Sequence, residues 1–149
     1  MALRALLAIK MLIAGLFLSS CNQQQVPIKL QLYCIDSIQL KNKNGILYDS
    51  SASFTGTLYA LSPKGDSIFS RTYVNGLEGG VHKLWYPNTK TQEIRQYFRG
   101  KKIGVNVGYW PDGRKRYRYH FANDLYEGIQ YEWYNNGKLY SKKNYLAGY

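Results

Sequence analysis

An all-β fold is predicted, on three observations: glycines at a fixed period, turn dipeptides about a dozen residues apart, and alternating side-chain character between the turns. Gly56, Gly80, Gly104 and Gly128 are each 24 residues apart. Nine positions after them come Gly65, Thr89, Gly113 and Gly137, and seventeen after them Tyr73, Tyr97, Phe121 and Tyr145. Twenty after them come Gly76, Gly100, Asp124 and Gly148. Glycine makes up about 7% of an average chain, so columns this regular mark a tandem repeat. The expected architecture is a series of β-hairpins with a 24-residue period, forming an elongated, twisted antiparallel meander sheet.

The chain opens on a leader. Arg4 and Lys10 form a basic region, and Met11 to Leu18 an eight-residue apolar core. That core is short of the ~20 residues a spanning helix needs, and it fits a signal peptide over residues 1–20. The leader ends in Leu18-Ser19-Ser20-Cys21, which resembles the bacterial lipobox. The resemblance implies cleavage before Cys21 and acylation of its thiol, with two or more chains anchoring stably at ~0.8 kcal/mol per buried methylene. The alternative is an ordinary secretory leader that ends in cysteine. Residues 21–28 then comprise the lipidated cysteine and a polar tether, Asn22-Gln23-Gln24-Gln25. Asn22 is not the aspartate that marks inner-membrane retention in enteric bacteria. The expected location is therefore the cell envelope, at the periplasmic face of an outer membrane where the host has two membranes.

Residues 29–149 form the predicted repeat domain, with units near 54–76, 78–100, 102–124 and 126–148. With Cys21 consumed, Cys34 is the one remaining thiol, so no internal disulfide is expected. Its apolar neighbours Leu32, Tyr33 and Ile35 predict a buried structural cysteine. Asn136-Gly137 and Asp112-Gly113 predict type I′ hairpin turns, because both positions of such a turn need positive φ. Lys64-Gly65 and Asn88-Thr89 are weaker versions. A second turn at Asn75-Gly76, Arg99-Gly100, Asn123-Asp124 and Ala147-Gly148 links one hairpin to the next. Period-two alternation places Thr57, Tyr59, Leu61, Val81, Lys83, Trp85, Val105, Val107, Tyr109, Ile129, Tyr131 and Trp133 on one face. Leu58, Ala60, His82, Leu84, Asn106, Gly108, Gln130 and Glu132 fall on the other. In the third unit Tyr117, Tyr119 and Phe121 oppose Arg116, Arg118 and His120. Fifteen tyrosines suit a thin sheet, since the ring packs while the hydroxyl stays wet.

These columns resemble the bacterial variant of the MORN-repeat family. Its Gly-x-x-x-x-aromatic-Tyr-x-x-Gly pattern matches Gly104 to Gly113 and Gly128 to Gly137, and its opening segment resembles Asn44 to Tyr48 followed by Phe54-Thr55-Gly56. The resemblance covers about residues 38–149, with departures at Thr89, Asp124 and Ala52-Ser53. It implies a binding architecture. Bacterial members are often labelled antitoxin-like, and the family is otherwise associated with adaptor and lipid-contact roles.

The whole chain carries a net charge of +11. Without the leader, eighteen basic residues stand against nine acidic ones, a net +9. The densest basic stretch is Arg114 to His120, interleaved with tyrosine. Basic residues among aromatics suit nucleic acid in general. An envelope lipoprotein does not meet nucleic acid, so anionic lipid, glycan or an acidic protein surface is expected instead. His82 and His120 occupy ordinary repeat columns and are expected to be exposed. No His/Cys/carboxylate spacing fits a metal site, and no cofactor is expected. No serine sits in a nucleophile elbow, and Asp124, Glu127 and Glu132 are expected to be solvated rather than catalytic. The chain is therefore read as a non-enzyme.

Three readings of function from different classes remain. One is a membrane-tethered binding or scaffold module for an envelope protein, using Trp85, Tyr109, Trp133, Tyr117, Tyr119, Arg116 and Arg118. Another, implied by the family label, is an antitoxin or immunity protein that masks a toxin. A third is an envelope glycan-binding or glycan-cleaving protein. The last strand is expected to offer an open edge.

Overall fold

The computed structural model describes residues 30–149; the predicted signal peptide, Cys21 and the polar tether lie outside the described residues. Strand β1 (Leu32–Cys34) leads through a 3-10 turn (Ile35–Ser37) to β2 (Leu40–Lys43), β3 (Ile46–Asp49) and β4 (Ala52–Ser53). Three units of long, long and short strands follow. They are β5 (Gly56–Leu61), β6 (Ser67–Val74) and β7 (Leu77–Glu78); β8 (Gly80–Trp85), β9 (Thr91–Phe98) and β10 (Lys101–Lys102); and β11 (Gly104–Tyr109), β12 (Lys115–Ala122) and β13 (Leu125–Tyr126). The fourth unit supplies β14 (Gly128–Trp133) and β15 (Leu139–Tyr145).

The fold is all-β, an open meander of hairpins in the order β1-β5-β6-β8-β9-β11-β12-β14-β15. Two details depart from a uniform antiparallel array. Strand β1 pairs parallel to β5, and β2-β3-β4 form a separate three-stranded sheet. That small sheet caps the first unit, where the Leu47 N–H donates to the Gly76 carbonyl at 2.9 Å. No helix among the described residues is long and apolar enough to cross a membrane, which says nothing of crossing by strands.

The 24-residue period is written in the hydrogen bonds. In successive units Gly76, Gly100, Asp124 and Gly148 donate their N–H to the carbonyls of Phe54, Glu78, Lys102 and Tyr126, at 2.7, 2.8, 3.0 and 2.9 Å. Each unit's second turn thus docks on the short strand before it or, in the first unit, on Phe54 just past β4.

The turns carry the predicted chemistry in exchanged positions. Asn75, Arg99, Asn123 and Ala147 have φ near +50°, and each is followed by a residue at φ +71° to +91°. These second turns are the type I′ turns. At the first turns only Gly65, Thr89, Gly113 and Gly137 are left-handed. There the Gly137 N–H meets the Tyr134 carbonyl at 2.9 Å, and the Tyr134 N–H meets the Lys138 carbonyl at 2.9 Å. That is a type I turn closed by a left-handed residue, the three-residue hairpin loop. Pro63, Pro87 and Pro111 take the position of the type I turn where a fixed φ near −65° fits.

Beyond the hairpins, neighbouring units pair over only two residues: Phe69 and Ser70 with Leu84 and Lys83, then Ile94 and Glu93 with Val107 and Gly108. Past that point the strands diverge and the short strands β7, β10 and β13 fill the wedge. Backbone groups of Thr72, Gln96 and His120 face this wedge, and buried polar groups must find partners. His82 Nε2 bonds the Thr72 carbonyl at 2.8 Å; Asn106 Oδ1 accepts the Gln96 N–H at 2.6 Å; Gln130 Oε1 accepts the His120 N–H at 2.7 Å. The equivalent first-unit residue, Leu58, has no preceding unit to bond and is apolar.

His82 is therefore 4% exposed, contrary to the expected surface position, because its column plugs the gap between units. His120 is half-buried, with Nδ1 3.1 Å from the Glu127 carbonyl. Cys34 is half-buried rather than buried, because β1 covers β5 from the edge of a single sheet. Among the described residues no second layer covers the main sheet, so aromatic rings supply much of the packing. Tyr33, Phe54, Tyr73, His82 and Tyr97 run across the units with centroids 4.5–6.1 Å apart.

Candidate functional site

The face that carries the buried column opens, from the second to the fourth unit, into a groove of about 490 Å³. Strand β9 contributes Glu93 and Arg95, β11 contributes Asn106, β12 contributes Tyr117 and Tyr119, and β14 contributes Glu132. Period-two geometry puts them together: Gly108 pairs with both Glu93 and Tyr117, and Tyr117 pairs with Glu132.

Gly108 makes the groove possible. A Cβ there would fall 2.1–2.7 Å from ring atoms of Tyr117, so the ring lies directly over the glycine. The Tyr117 hydroxyl reaches across to donate to Glu93 Oε1 at 2.9 Å. Tyr119 stacks on Tyr117, with centroids 4.5 Å apart and planes at 14°, and donates to Glu132 Oε1 at 2.6 Å. Burial, together with the bond to the Glu93 carboxylate, pushes the Tyr117 phenol up to about 12. Burial and Glu132 likewise raise Tyr119. Both phenols are protonated donors at neutral pH. Arg95 grips the other oxygen of Glu93 at 2.6 Å.

Of the residues predicted to bind, Tyr117, Tyr119, Arg116 and Trp133 line the groove, and Trp85, Tyr109 and Arg118 do not. Arg118 points with Val107 and Tyr131, its cross-strand partners, to the other face. Arg116 was expected beside it. The pairing instead jumps from Gly108–Tyr117 to Tyr109–Lys115, leaving Arg116 as the extra residue of a bulge. The bulge turns it onto the groove side, where its guanidinium lies 5.0 Å over the Trp110 ring.

The aromatic pairs before the first turns divide between the faces. The groove uses the second member, Trp110 and Tyr134, rather than Trp85 or Tyr109. Trp110 Nε1 donates to the Trp133 carbonyl at 3.2 Å, while the Trp133 ring stacks on Tyr131. Continued alternation from Gly108 would have found Trp110. Glu132 was expected in solvent; it is half-buried and bonded to Tyr119, because the groove walls rise around it. Glu127 Oε2 accepts the Ala147 N–H at 3.0 Å and Asp124 Oδ1 the Lys102 N–H at 2.8 Å, so these two carboxylates serve turns. Among the described residues no group of three or more His, Cys, Asp or Glu side chains could hold a metal ion.

One buried polar atom of a groove-lining residue stands out. Asn106 is 2% exposed, and its Nδ2 has no hydrogen-bond partner in the protein. The Gln96 N–H fixes the amide's orientation, because it must meet the oxygen. Comparison with protein-family models, with curated proteins and with solved structures returns no match.

Proposed function

We propose that this chain is a membrane-anchored lipoprotein and a non-catalytic binding and scaffold module, related to the bacterial MORN-repeat variant. Its repeat sheet presents the groove that runs from the second to the fourth unit to a partner in the cell envelope. The observation that carries the reading is the groove: a concave aromatic surface of about 490 Å³ on an otherwise open sheet. That volume lies within the ~300–1,000 Å³ of small-molecule sites. The carboxylates Glu93 and Glu132 are both held by tyrosine hydroxyls, which suits fixed recognition better than proton transfer. The lipobox-like end of the leader supports the anchor, and the repeat columns support the kinship.

The test has two arms. Mass spectrometry of the mature N-terminus should find acylated Cys21, and Cys21→Ser should move the protein out of the membrane fraction. A mature chain that starts elsewhere without lipid overturns the anchor. In-cell cross-linking should then give an adduct that Trp110→Ala loses and Lys83→Ala, on the opposite face, keeps. An adduct indifferent to both places the binding surface elsewhere.

A further inference from the structure

We propose that the groove binds a saccharide, and that Asn106 Nδ2 is the donor at its floor. The inference rests on the reading of the groove as a binding surface, and it follows from comparing the four units with one another. Columns that build the fold repeat from unit to unit; three columns at the groove, those of Tyr117, Tyr119 and Gly108, do not. The position of Tyr117 holds Phe69, Glu93 and Ser141 in the other units, and that of Tyr119 holds Arg71, Arg95 and Lys143. The position of Gly108 holds Ala60, Leu84 and Glu132. The third unit thus departs from its neighbours where its side chains meet the groove.

Asn106 departs in the same way. In the fourth unit Gln130 spends its Nε2 on the carbonyls of His120, Glu127 and Gly128, at 2.9–3.1 Å. In the second unit His82 bonds Thr72. Asn106 uses only its oxygen, and a buried amide N–H left unpaired is costly. A ligand oxygen would relieve that cost.

The surrounding chemistry selects the kind of ligand. Tyr117 and Tyr119 form a stacked pair, and the Trp110 ring flanks the groove under Arg116. Aromatic faces carry partial negative charge and attract the C–H edges of a saturated ring. Glu132 Oε2 and the tyrosine oxygens offer acceptors, and Asn106 and Arg116 offer donors, so a ring rich in hydroxyls is matched on both counts. Arg95, Lys102 and Arg116 stand against Glu93 and Glu132 along the groove. That near balance, with two carboxylates lining the site, disfavours a phosphate-rich polyanion. An alkyl chain would leave the same carboxylates and amide dry and unpaired.

The experiment uses the full mature chain in detergent micelles and follows Trp fluorescence and NMR chemical shifts. The probes are trimers of neutral hexose and of N-acetylhexosamine, with phosphatidylglycerol vesicles and an acidic peptide as competing classes. The proposal expects one trimer to bind. Trp110→Ala and Tyr119→Leu should each weaken it by about tenfold or more. Asn106→Asp, which keeps the acceptor for Gln96 and removes the donor, should do the same. Lys83→Ala should leave it unchanged. Saccharide binding that survives Trp110→Ala and Tyr119→Leu overturns the assignment. Binding of vesicles or peptide alone, lost in those variants, overturns the saccharide and leaves the binding groove standing. If no probe of any class perturbs the groove, both fall.

Discussion

At 4% exposure the His82 imidazole is nearly dry, with Nε2 2.8 Å from the Thr72 carbonyl and Nδ1 3.8 Å from Glu78. Burial lowers its pKa below the ordinary 6.5, outweighing the bond to Thr72 and the Glu78 carboxylate, which both favour the charged form. The unfolded chain therefore takes up a proton that the folded chain resists. Stability is full above 6.5 and declines as pH falls below it. His82→Gln should remove that decline, since Gln130 fills the same column with its amide bonded to the backbone. It should also lose about 1 kcal/mol at neutral pH, because the ring contacts to Tyr73 and Tyr97 go. Denaturant titrations across the pH range check both. An unchanged acid slope in the variant would assign the sensitivity to another group.

At the scale of turns and strands, Thr89 marks the one first turn whose left-handed position is not glycine. A β-branched residue at φ +65° is strained, and the side chain is exposed, so nothing is gained by packing. Thr89→Gly should stabilise the protein by about 1 kcal/mol, read as a higher denaturation midpoint at unchanged slope. No gain would mean that the strain is offset in the unfolded chain. The same turns explain what the sequence disclosed and what it hid. Positive φ demands glycine or its few substitutes, so the period was visible at Gly65, Gly113 and Gly137. Asn-Gly and Asp-Gly serve two kinds of turn, and the choice depends on how many residues the loop holds before pairing resumes. That count is settled across the strands, at the jump beside Gly108 and Tyr109. The bulge also carried Arg116 to the groove face, while Tyr117 and Tyr119 obeyed simple alternation. Asn106 and Trp110 follow the alternation through Gly108, whereas Glu93 and Glu132 join the site through strand pairing with neighbouring units, which no single unit's pattern contains.

For the whole molecule, the governing fact is that each hairpin bonds only to the hairpins beside it in chain order. With no second layer over the main sheet among the described residues, stability is a sum of unit and neighbour contributions, and opening should be local. Gly128→Ala isolates this behaviour. Its φ is +64°, and an added Cβ would meet nothing within 4 Å, so the change costs backbone energy alone, about 1 kcal/mol. Strand β15 has a strand partner on one side only among the described residues, so β14 and β15 depend on the junction that Gly128 opens. Amide hydrogen exchange in the variant should therefore show faster exchange across β14 and β15, with β8 and β9 exchanging as before. Equal loss of protection in all four units would instead make the sheet one cooperative block. The groove would then be held by the fold as a whole, whereas local opening lets its β14 wall, with Glu132, loosen independently of the β9 wall that holds Glu93 and Arg95.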